Sequence, residues 1–446
     1  MRIVIAGAGE VGIHLAKLLA NESQDIFLID GDQTNLDYAE NHIDVITVRG
    51  DATCPKVLKK ASIEKADLLI AATSTEASNI TIAMLGKRMG AKQTVSRITN
   101  TEYLDQKHDI GFEEIGVDFM ISPELLAAKE IERLIRRSAF TDCFQFDNGE
   151  LFLVGIKIDD QSPLAGKLVE ETSHLNPRQS YFPVAIQRAF ETIIPRGNSR
   201  FESGDYIYFI AKQGSLDHIV ELTGRPPIKV RNVMVLGGSR IGVNCARDLS
   251  DDFRVKLMEQ DREKIDAIAE DLPNVLIING DGRNVELLEE ESIGEMDVFV
   301  AVTGNSATNI MSCLVARKYG VKKTIALVEN IDYIHLSQNV GIDTLINKKL
   351  IAANNIFRHV RKGEVLSLAS LHGVEAEILE FGVQKGSKIT KKPIRALGFP
   401  KQAIIGGVIR DGKGLITLGD FHVREGDHVV VFTMPNAIHQ VEKFFA

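Results

Sequence analysis

Residues 1–12 read Met1-Arg-Ile-Val-Ile-Ala-Gly-Ala-Gly-Glu-Val-Gly12, and the chain continues to Ala20 as IHLAKLLA at helical spacing. An apolar run, a glycine turn and a helix form the context in which Gly-x-Gly-x-x-Gly binds a dinucleotide. The next apolar run, Ile26 to Ile29, closes on an acid, Asp30. Gly7 permits the tight turn, Gly9 lets a pyrophosphate approach the backbone, and Gly12 lets helix and strand pack closely. The helix start offers free N–H groups and its positive dipole end to phosphate. Gly7, Ala8, Gly9, Glu10, Val11 and Gly12 are therefore the candidate phosphate turn. Asp30 is the candidate acceptor for ribose hydroxyls. Its carboxylate would repel a 2′-phosphate, which favours NAD(H) over NADP(H). The plain alternative is a glycine-rich turn without a ligand. Glu10 is electrostatically unhelpful beside phosphate and is expected to point outward.

Shifted by about 230 residues, the chain matches itself. Arg2 to Gly7 falls on Asn232 to Gly237, Gly9 on Ser239, Gly12 on Gly242, and Asp30 on Glu259 after one deletion. Gly50-Asp51-Ala52 meets Gly280-Asp281-Gly282, and DLLIAATSTEASN from Asp67 meets DVFVAVTGNSATN from Asp297 without a gap. The agreements concentrate at turn glycines, caps and acids, where a shared fold constrains residue type.

In each long half, strands alternate with helices. In the first, strands are expected near 2–6, 26–30, 44–48, 68–72, 94–98 and 117–121, and helices near 11–20, 34–40, 55–60, 76–88 and 101–109. The pattern predicts α/β architecture, with two Rossmann-like doubly wound parallel sheets. Each long half ends in one more helix, capped by Ser122 or Asn347. Such a helix either packs locally or crosses to a neighbour; the sequence is compatible with both. A smaller β-rich module follows each helix, with Gly204-Asp205 and Gly426-Asp427 at equivalent turns. The expected division is 1–139, 140–224, 230–363 and 364–446: nucleotide-binding domain, small α+β module, second nucleotide-binding domain, second module.

Thr73 and Ser74 follow the fourth strand on the ligand side of the sheet. Thr73 either caps the next helix or reaches a ribose or phosphate. Asp51 and Ala52 border the same edge, with Asp51 closing a turn or flanking an adenine. Arg97 ends the fifth strand, where it can meet phosphate charge; its counterpart is Leu327. The second candidate site comprises Gly237, Gly238, Ser239, Arg240, Ile241, Gly242, Glu259, Asp281 and Thr303. Ser239 crowds a pyrophosphate, while its hydroxyl and Arg240 are compatible with a different pose.

No catalytic constellation is apparent. Tyr103 and Lys107 spell YxxxK, but too close to the glycine turn for a short-chain dehydrogenase, and Tyr333 to Ser337 lacks the lysine. The eleven histidines are scattered. The four cysteines, Cys54, Cys143, Cys245 and Cys313, form no CxxC and read as buried free thiols of a reducing cytoplasm, without a metal site. A net charge of −9 disfavours nucleic acid and anionic lipid as partners. With a strand opening at Arg2, no signal peptide is expected, and no apolar run approaches the roughly 18 residues of a membrane span. The rival class is an NAD-dependent oxidoreductase with duplicated Rossmann domains.

Gly7 to Gly12, Asp30, Gly50 to Thr53, Ala72-Thr73 with Asn79, and Ser96-Arg97-Ile98 resemble the TrkA-type regulators of potassium conductance. Ser162 to Lys167 and Glu202 to Asp205 resemble that family's C-terminal domain. The likeness spans the whole chain. It implies a cytoplasmic nucleotide-binding subunit of a gating ring, a homo-oligomer built as a dimer or tetramer. Such a subunit docks on a membrane potassium channel subunit of the TrkH kind at the inner face of the membrane. It also implies NAD(H) at the first site, ATP or ADP at either, and a trailing helix that crosses to a partner domain.

Overall fold

The computed structural model describes the chain apart from residues 21–23, 105–110, 139, 147–148, 190, 225–228, 331–340, 361–364, 371–375 and 446, and the side chains of 357–360 and 365–370. Lys107, Tyr333 to Ser337 and the Pro226-Pro227 linker thus lie outside the described residues. Two units divide the chain: Met1–Ala128 with Asn347–Val360, and Lys129–Ile346 with Arg361–Ala446.

In the first unit, β1 (Arg2–Ala6), β2 (Asp25–Asp30), β3 (Ile46–Arg49), β4 (Leu68–Ala71), β5 (Gln93–Arg97) and β6 (Phe119–Ile121) form one sheet in the order β3-β2-β1-β4-β5-β6. All pairings are parallel. Helices α1 (Glu10–Ala20), α2 (Gln33–His42), α3 (Pro55–Lys60) and α4 (Glu76–Met89) connect the strands. Ile3, Val4, Ile5 and Leu68 to Ala71 are almost fully buried, as strands covered on both faces must be. Each aliphatic side chain so buried contributes about 1.5–3 kcal/mol. The strand order reverses between β1 and β4, which opens a crevice at the carboxyl edge. The expected helix over 101–109 is a 3₁₀ turn at Thr101–Leu104, its remainder outside the described residues.

α5 (Pro123–Arg136) starts from Ser122, whose Oγ accepts from the Leu125 N–H at 3.3 Å. The helix Lys348–Val360 starts from Asn347, whose Oδ1 accepts from the N–H groups of Lys349 and Leu350, each at 3.0 Å. This second helix lies against α1, more than 300 residues away in sequence, and buries Ala352, Ala353 and Ile356. It therefore crosses to the first half and does not pack locally.

The second unit repeats the sheet with β7 to β11 between the two copies. In the first module β7 (Asp142–Phe146), β8 (Leu151–Lys157), β9 (Tyr181–Arg188), β10 (Glu191–Ile193) and β11 (Tyr206–Lys212) run antiparallel in the order β10-β9-β11-β8-β7. Then β12 (Asn232–Leu236), β13 (Arg254–Glu259), β14 (Leu276–Asn279), β15 (Val298–Ala301), β16 (Lys323–Leu327) and β17 (Thr344–Ile346) form the second parallel sheet, in the order β14-β13-β12-β15-β16-β17. β18 (Val365–Ser370), β19 (Glu377–Gly382), β20 (Ala403–Arg410), β21 (Lys413–Ile416) and β22 (His428–Thr433) make the last sheet. The duplication extends to backbone strain: Ser62 and Ser292, at matching positions, adopt left-handed φ of 57° and 59°.

The two module sheets pack face to face through Phe146, Leu151, Tyr208, Ile210, Ile404, Val430 and Phe432. A β-carbon on Gly406 would lie 2.5 Å from Ile210 Cγ1, and one on Gly407 2.7 Å from Leu151 Cδ1, so the sheets meet where β20 has no side chains. Each module carries the same ion pair, in which a buried aspartate holds a partly exposed arginine. Arg188 Nε and Nη2 donate to both oxygens of Asp205 at 2.8 Å, and Arg410 does the same to Asp427. Both aspartates are 1% exposed. Lys323, 3% exposed, donates to the carbonyl oxygens of Leu134, Ser138 and Phe140 at 3.0, 3.1 and 2.7 Å. The second sheet thereby satisfies carbonyls at the end of α5, so this helix too is held by the opposite half. Cys143, Cys245 and Cys313 are buried, but Cys54 is exposed, contrary to expectation, because it precedes the short helix α3 at the sheet edge.

Asp205 is the buried member of its pair and also accepts from the Glu202 N–H at 2.8 Å, so neutralising it weakens several hydrogen bonds at once. Asp205→Asn is expected to destabilise the first module by about 1–3 kcal/mol, read as a lower urea midpoint, with Arg188→Met as the double-mutant control. Burial lowers the Lys323 pKa from 10.5 to about 8. Between those values the unfolded chain keeps a proton that the folded chain has lost, so this group's contribution to stability rises with pH and is lost as pH falls through 8. Lys323→Met is therefore expected to cost more stability at pH 10 than at pH 7; an equal cost at both would overturn that account.

Candidate functional site

The carboxyl edge of the first sheet holds a cleft of about 540 Å³, within the usual size for small-molecule sites. Gly7, Gly9, Glu10, Val11, Asp30, Asp51, Ala52, Thr73, Ser74 and Arg97 line it, as do Pro123, Lys348 and Lys349. The turn is built by steric necessity. Gly7 has φ +107°, and a β-carbon there would meet Ala72 O at 2.7 Å. A β-carbon on Gly12 would lie 1.8 Å from Gly7 O. Gly9 differs: a β-carbon there meets nothing within 4 Å. The protein itself does not need glycine at position 9, whereas a pyrophosphate lying against the turn does.

Asp30 organises the turn from the end of β2. Its Oδ2 accepts from the Ala8 N–H at 2.6 Å and its Oδ1 from the Asp32 N–H at 2.8 Å. Each oxygen retains a lone pair for a ligand hydroxyl. Asp51 accepts from both the N–H and the hydroxyl of Thr53 at 2.8 Å, which lowers its pKa and closes the turn after β3. Thr73 does not cap α4; Thr75 occupies that position. The Thr73 N–H and hydroxyl both donate to Asn79 Oδ1, at 2.7 and 2.6 Å, and Asn79 Nδ2 donates to Arg97 O at 2.9 Å. Buried Asn79 thus ties the ends of β4 and β5 together under the cleft, and Asn309 does the same for Thr303 and Leu327.

The positive charge comes from far apart in the chain. Arg97 Nη2 lies 3.8 Å and Lys348 Nζ 3.7 Å from Glu124 Oε1. Glu10 is exposed, as expected, but it remains on the cleft and pairs with Lys349. Burial, then repulsion from Lys17 and Lys349, pushes His14 on α1 down to about 4, so its ring is neutral near pH 7. Sequence reasoning did not find Lys348, Lys349 or Glu124. The caps at Ser122 and Asn347 marked where their helices begin, but pattern within one half does not show which sheet a helix will cover.

The second copy is arranged differently. Ser239 Oγ donates to Val302 O at 2.8 Å and accepts from the Gly242 N–H at 3.3 Å, capping the helix Arg240–Leu249. An N–H that a phosphate would use is already engaged. Glu259 accepts from the Gly238 N–H at 2.7 Å, repeating the Asp30 contact with a longer side chain. Gly238 stands where the first half has Ala8, and a β-carbon on it would lie 3.1 Å from Glu259 Oε2. Asp281 is held below its ordinary pKa by Arg283, and Arg240 is exposed at the helix start. Gly237 and Gly242 repeat the tight turn and close approach, with φ +110° at Gly237 and 2.0 Å from a Gly242 β-carbon to Gly237 O. Buried Ile241, the second residue of that helix, lies between them. Among the described residues no group of three or more His, Cys, Asp or Glu could hold a metal ion, and no helix is long and apolar enough to cross a membrane.

The TrkA-N domain family matches residues 3–123 and 233–348, and the TrkA-C domain family matches 153–224 and 378–446. The Trk system potassium uptake protein TrkA of Haemophilus influenzae is 34% identical over 451 residues, covering 100% of this chain and 98% of its own. The TrkA homolog 1 of Methanosarcina mazei is 32% identical over 454 residues, covering 100% of both. Among solved structures, the GsuK RCK domain superposes with a TM-score of 0.62 at 15% identity, covering 100% of this chain and 94% of that one. The GsuK channel bound to NAD gives 0.61 at 14% identity, covering 100% and 78%. These structures share the fold. With both halves matched in tandem and relatives aligned from end to end, the chain belongs to the TrkA family.

Proposed function

We propose that this protein is a cytoplasmic nucleotide-binding regulatory subunit that gates a membrane Trk-type potassium uptake channel. The observation that carries the reading is the cleft of the first half, where the glycine turn, Asp30 and the cations Arg97, Lys348 and Lys349 converge. The names of its relatives, Trk system potassium uptake proteins, point the same way. The fold is that of a channel solved with NAD bound. The subunit acts as a homo-oligomer, a dimer or tetramer ring, and reaches the inner membrane through a TrkH-like protein partner. The chain is read as four parts: 1–139 and 230–363 as nucleotide domains, 140–224 and 364–446 as their modules.

NAD(H) fits the first site. Gly9 to Gly12 and the start of α1 would hold the pyrophosphate, Asp30 the adenosine ribose, and Arg97 phosphate charge. Ser74 and Thr73 border the ligand at the end of β4. The second site, with Ser239 capping its own helix, would bind an adenine nucleotide only in another pose. Binding shifts the equilibrium of the assembly by the ligand's differential affinity for its two states. The oxidoreductase alternative would require an acid or base poised over a nicotinamide, and the family relationship favours regulation over it.

Gly9→Ala is expected to leave stability within about 0.5 kcal/mol yet weaken dinucleotide binding, since only a ligand meets the new methyl group. Asp30→Ala is expected to weaken binding about tenfold at the first site; unchanged affinity by calorimetry would remove the ribose assignment. Potassium flux through the reconstituted partner and protein, titrated with NADH, NAD, ATP and ADP, should respond to at least one of them. A flat response to all four would sink the regulatory reading, and steady NADH turnover would favour the oxidoreductase.

A further inference from the structure

The two halves repeat one exposed face with its charge inverted. α3 and the turn after it read Pro55-Lys-Val-Leu-Lys-Lys-Ala-Ser-Ile-Glu-Lys65, and the matching stretch of the second half reads Val285-Glu-Leu-Leu-Glu-Glu-Glu-Ser-Ile-Gly-Glu295. The fold keeps the pattern position by position. Leu58 and Ile63 are buried, as are Leu288 and Ile293. Lys56, Lys59, Lys60 and Lys65 are exposed, and so are Glu286, Glu289, Glu290 and Glu295, which occupy the same four positions. Glu64 is the one acid in the first stretch, and the second contains no base. An exposed aliphatic residue accompanies each face. Ile46 on β3 and Leu276 on β14, also at matching positions, are 55% and 56% exposed. Alternation along β3 puts Ile46 on the side of Val48, which shares a core with Leu58 of α3.

Water solvates a lysine face, a glutamate face or a mixture equally well. Here the scaffold and the apolar spot are duplicated while the charge is reversed throughout, and this makes the two faces complementary to each other. We propose that they dock on one another between copies of this chain, α3 of one copy against the helix Val285–Glu290 of a second. The inference deepens the homo-oligomer reading, on which it rests, and is independent of the nucleotide site. Each exposed ion pair contributes little. What the reversal supplies is the choice of face: lysine against lysine, or glutamate against glutamate, sets like charges together, so only unlike halves join. Each copy carries both faces. The contact is therefore made twice about a two-fold axis, or once per copy around a ring.

Sedimentation of the full chain tests this with two charge-reversed proteins. One carries Lys56→Glu, Lys60→Glu and Lys65→Glu; the other carries Glu286→Lys, Glu290→Lys and Glu295→Lys. Among the described residues none of these six side chains has an ion-pair partner to lose. The wild-type assembly is expected to dissociate more readily as KCl rises. Each reversed protein alone, with both faces of one sign, is expected to dissociate at least about tenfold more readily than the wild type. An equimolar mixture of the two restores unlike faces and should recover the wild-type mass, as should one chain carrying all six changes. Reversed proteins that keep the wild-type mass would overturn the docking while leaving the homo-oligomer reading in place. Folded variants that dissociate but fail to reassemble when mixed would overturn it as well. A wild-type protein that stays monomeric at every concentration would remove the homo-oligomer reading and this contact with it.

Discussion

A β-carbon at Gly12 would sit 1.8 Å from the carbonyl oxygen of Gly7, and one at Gly242 would sit 2.0 Å from that of Gly237. Helix and strand therefore join at this edge only through glycine, in both halves. The close join aims the start of α1 at the switch between β1 and β4, where the crevice opens. The Ala8 N–H is turned to Asp30, and the acid is held where a ribose would reach it. Everything else at the first site is arranged around that junction.

The same junction supports two different outcomes. In the first half Gly9 leaves open space above the turn. In the second, Ser239 fills the corresponding place and spends its hydroxyl on Val302 O and the Gly242 N–H. One methylene and one hydroxyl convert an open glycine turn into a self-capped helix while the sheet stays intact. Below the turn the halves remain alike: Asn79 and Asn309 make the same bridges, and the Arg188–Asp205 and Arg410–Asp427 pairs repeat in the modules. Scaffold positions are duplicated, and the departures fall at the carboxyl edge of the sheet.

Much of this was legible in the chain. The βα alternation, the glycine turn, Asp30 with its partner Glu259, and the module turns at Asp205 and Asp427 all rest on local spacing or residue type. Thr73 was open between cap and ligand, and its bond to Asn79, six residues on, follows from the bend after β4 and not from helix periodicity. Cys54 read as buried because cysteine usually is, but its position before a short helix leaves it exposed. Glu10 looked misplaced beside phosphate until Lys349 supplied its counter-charge.

The sequence by itself determined the duplicated architecture and the backbone of the glycine turn. Glycine sterics and hydrophobic period act over a few residues and need no distant partner. Tertiary structure alone decided which charges face the cleft. Lys348 and Lys349 arrive on a helix that begins more than 300 residues after the turn and packs on α1. Glu124 and Arg97 come together only once that edge is closed. Coulombic and hydrogen-bonding contacts depend on separation in space, and the crossing of helices between halves breaks the link between position in the chain and position at the site.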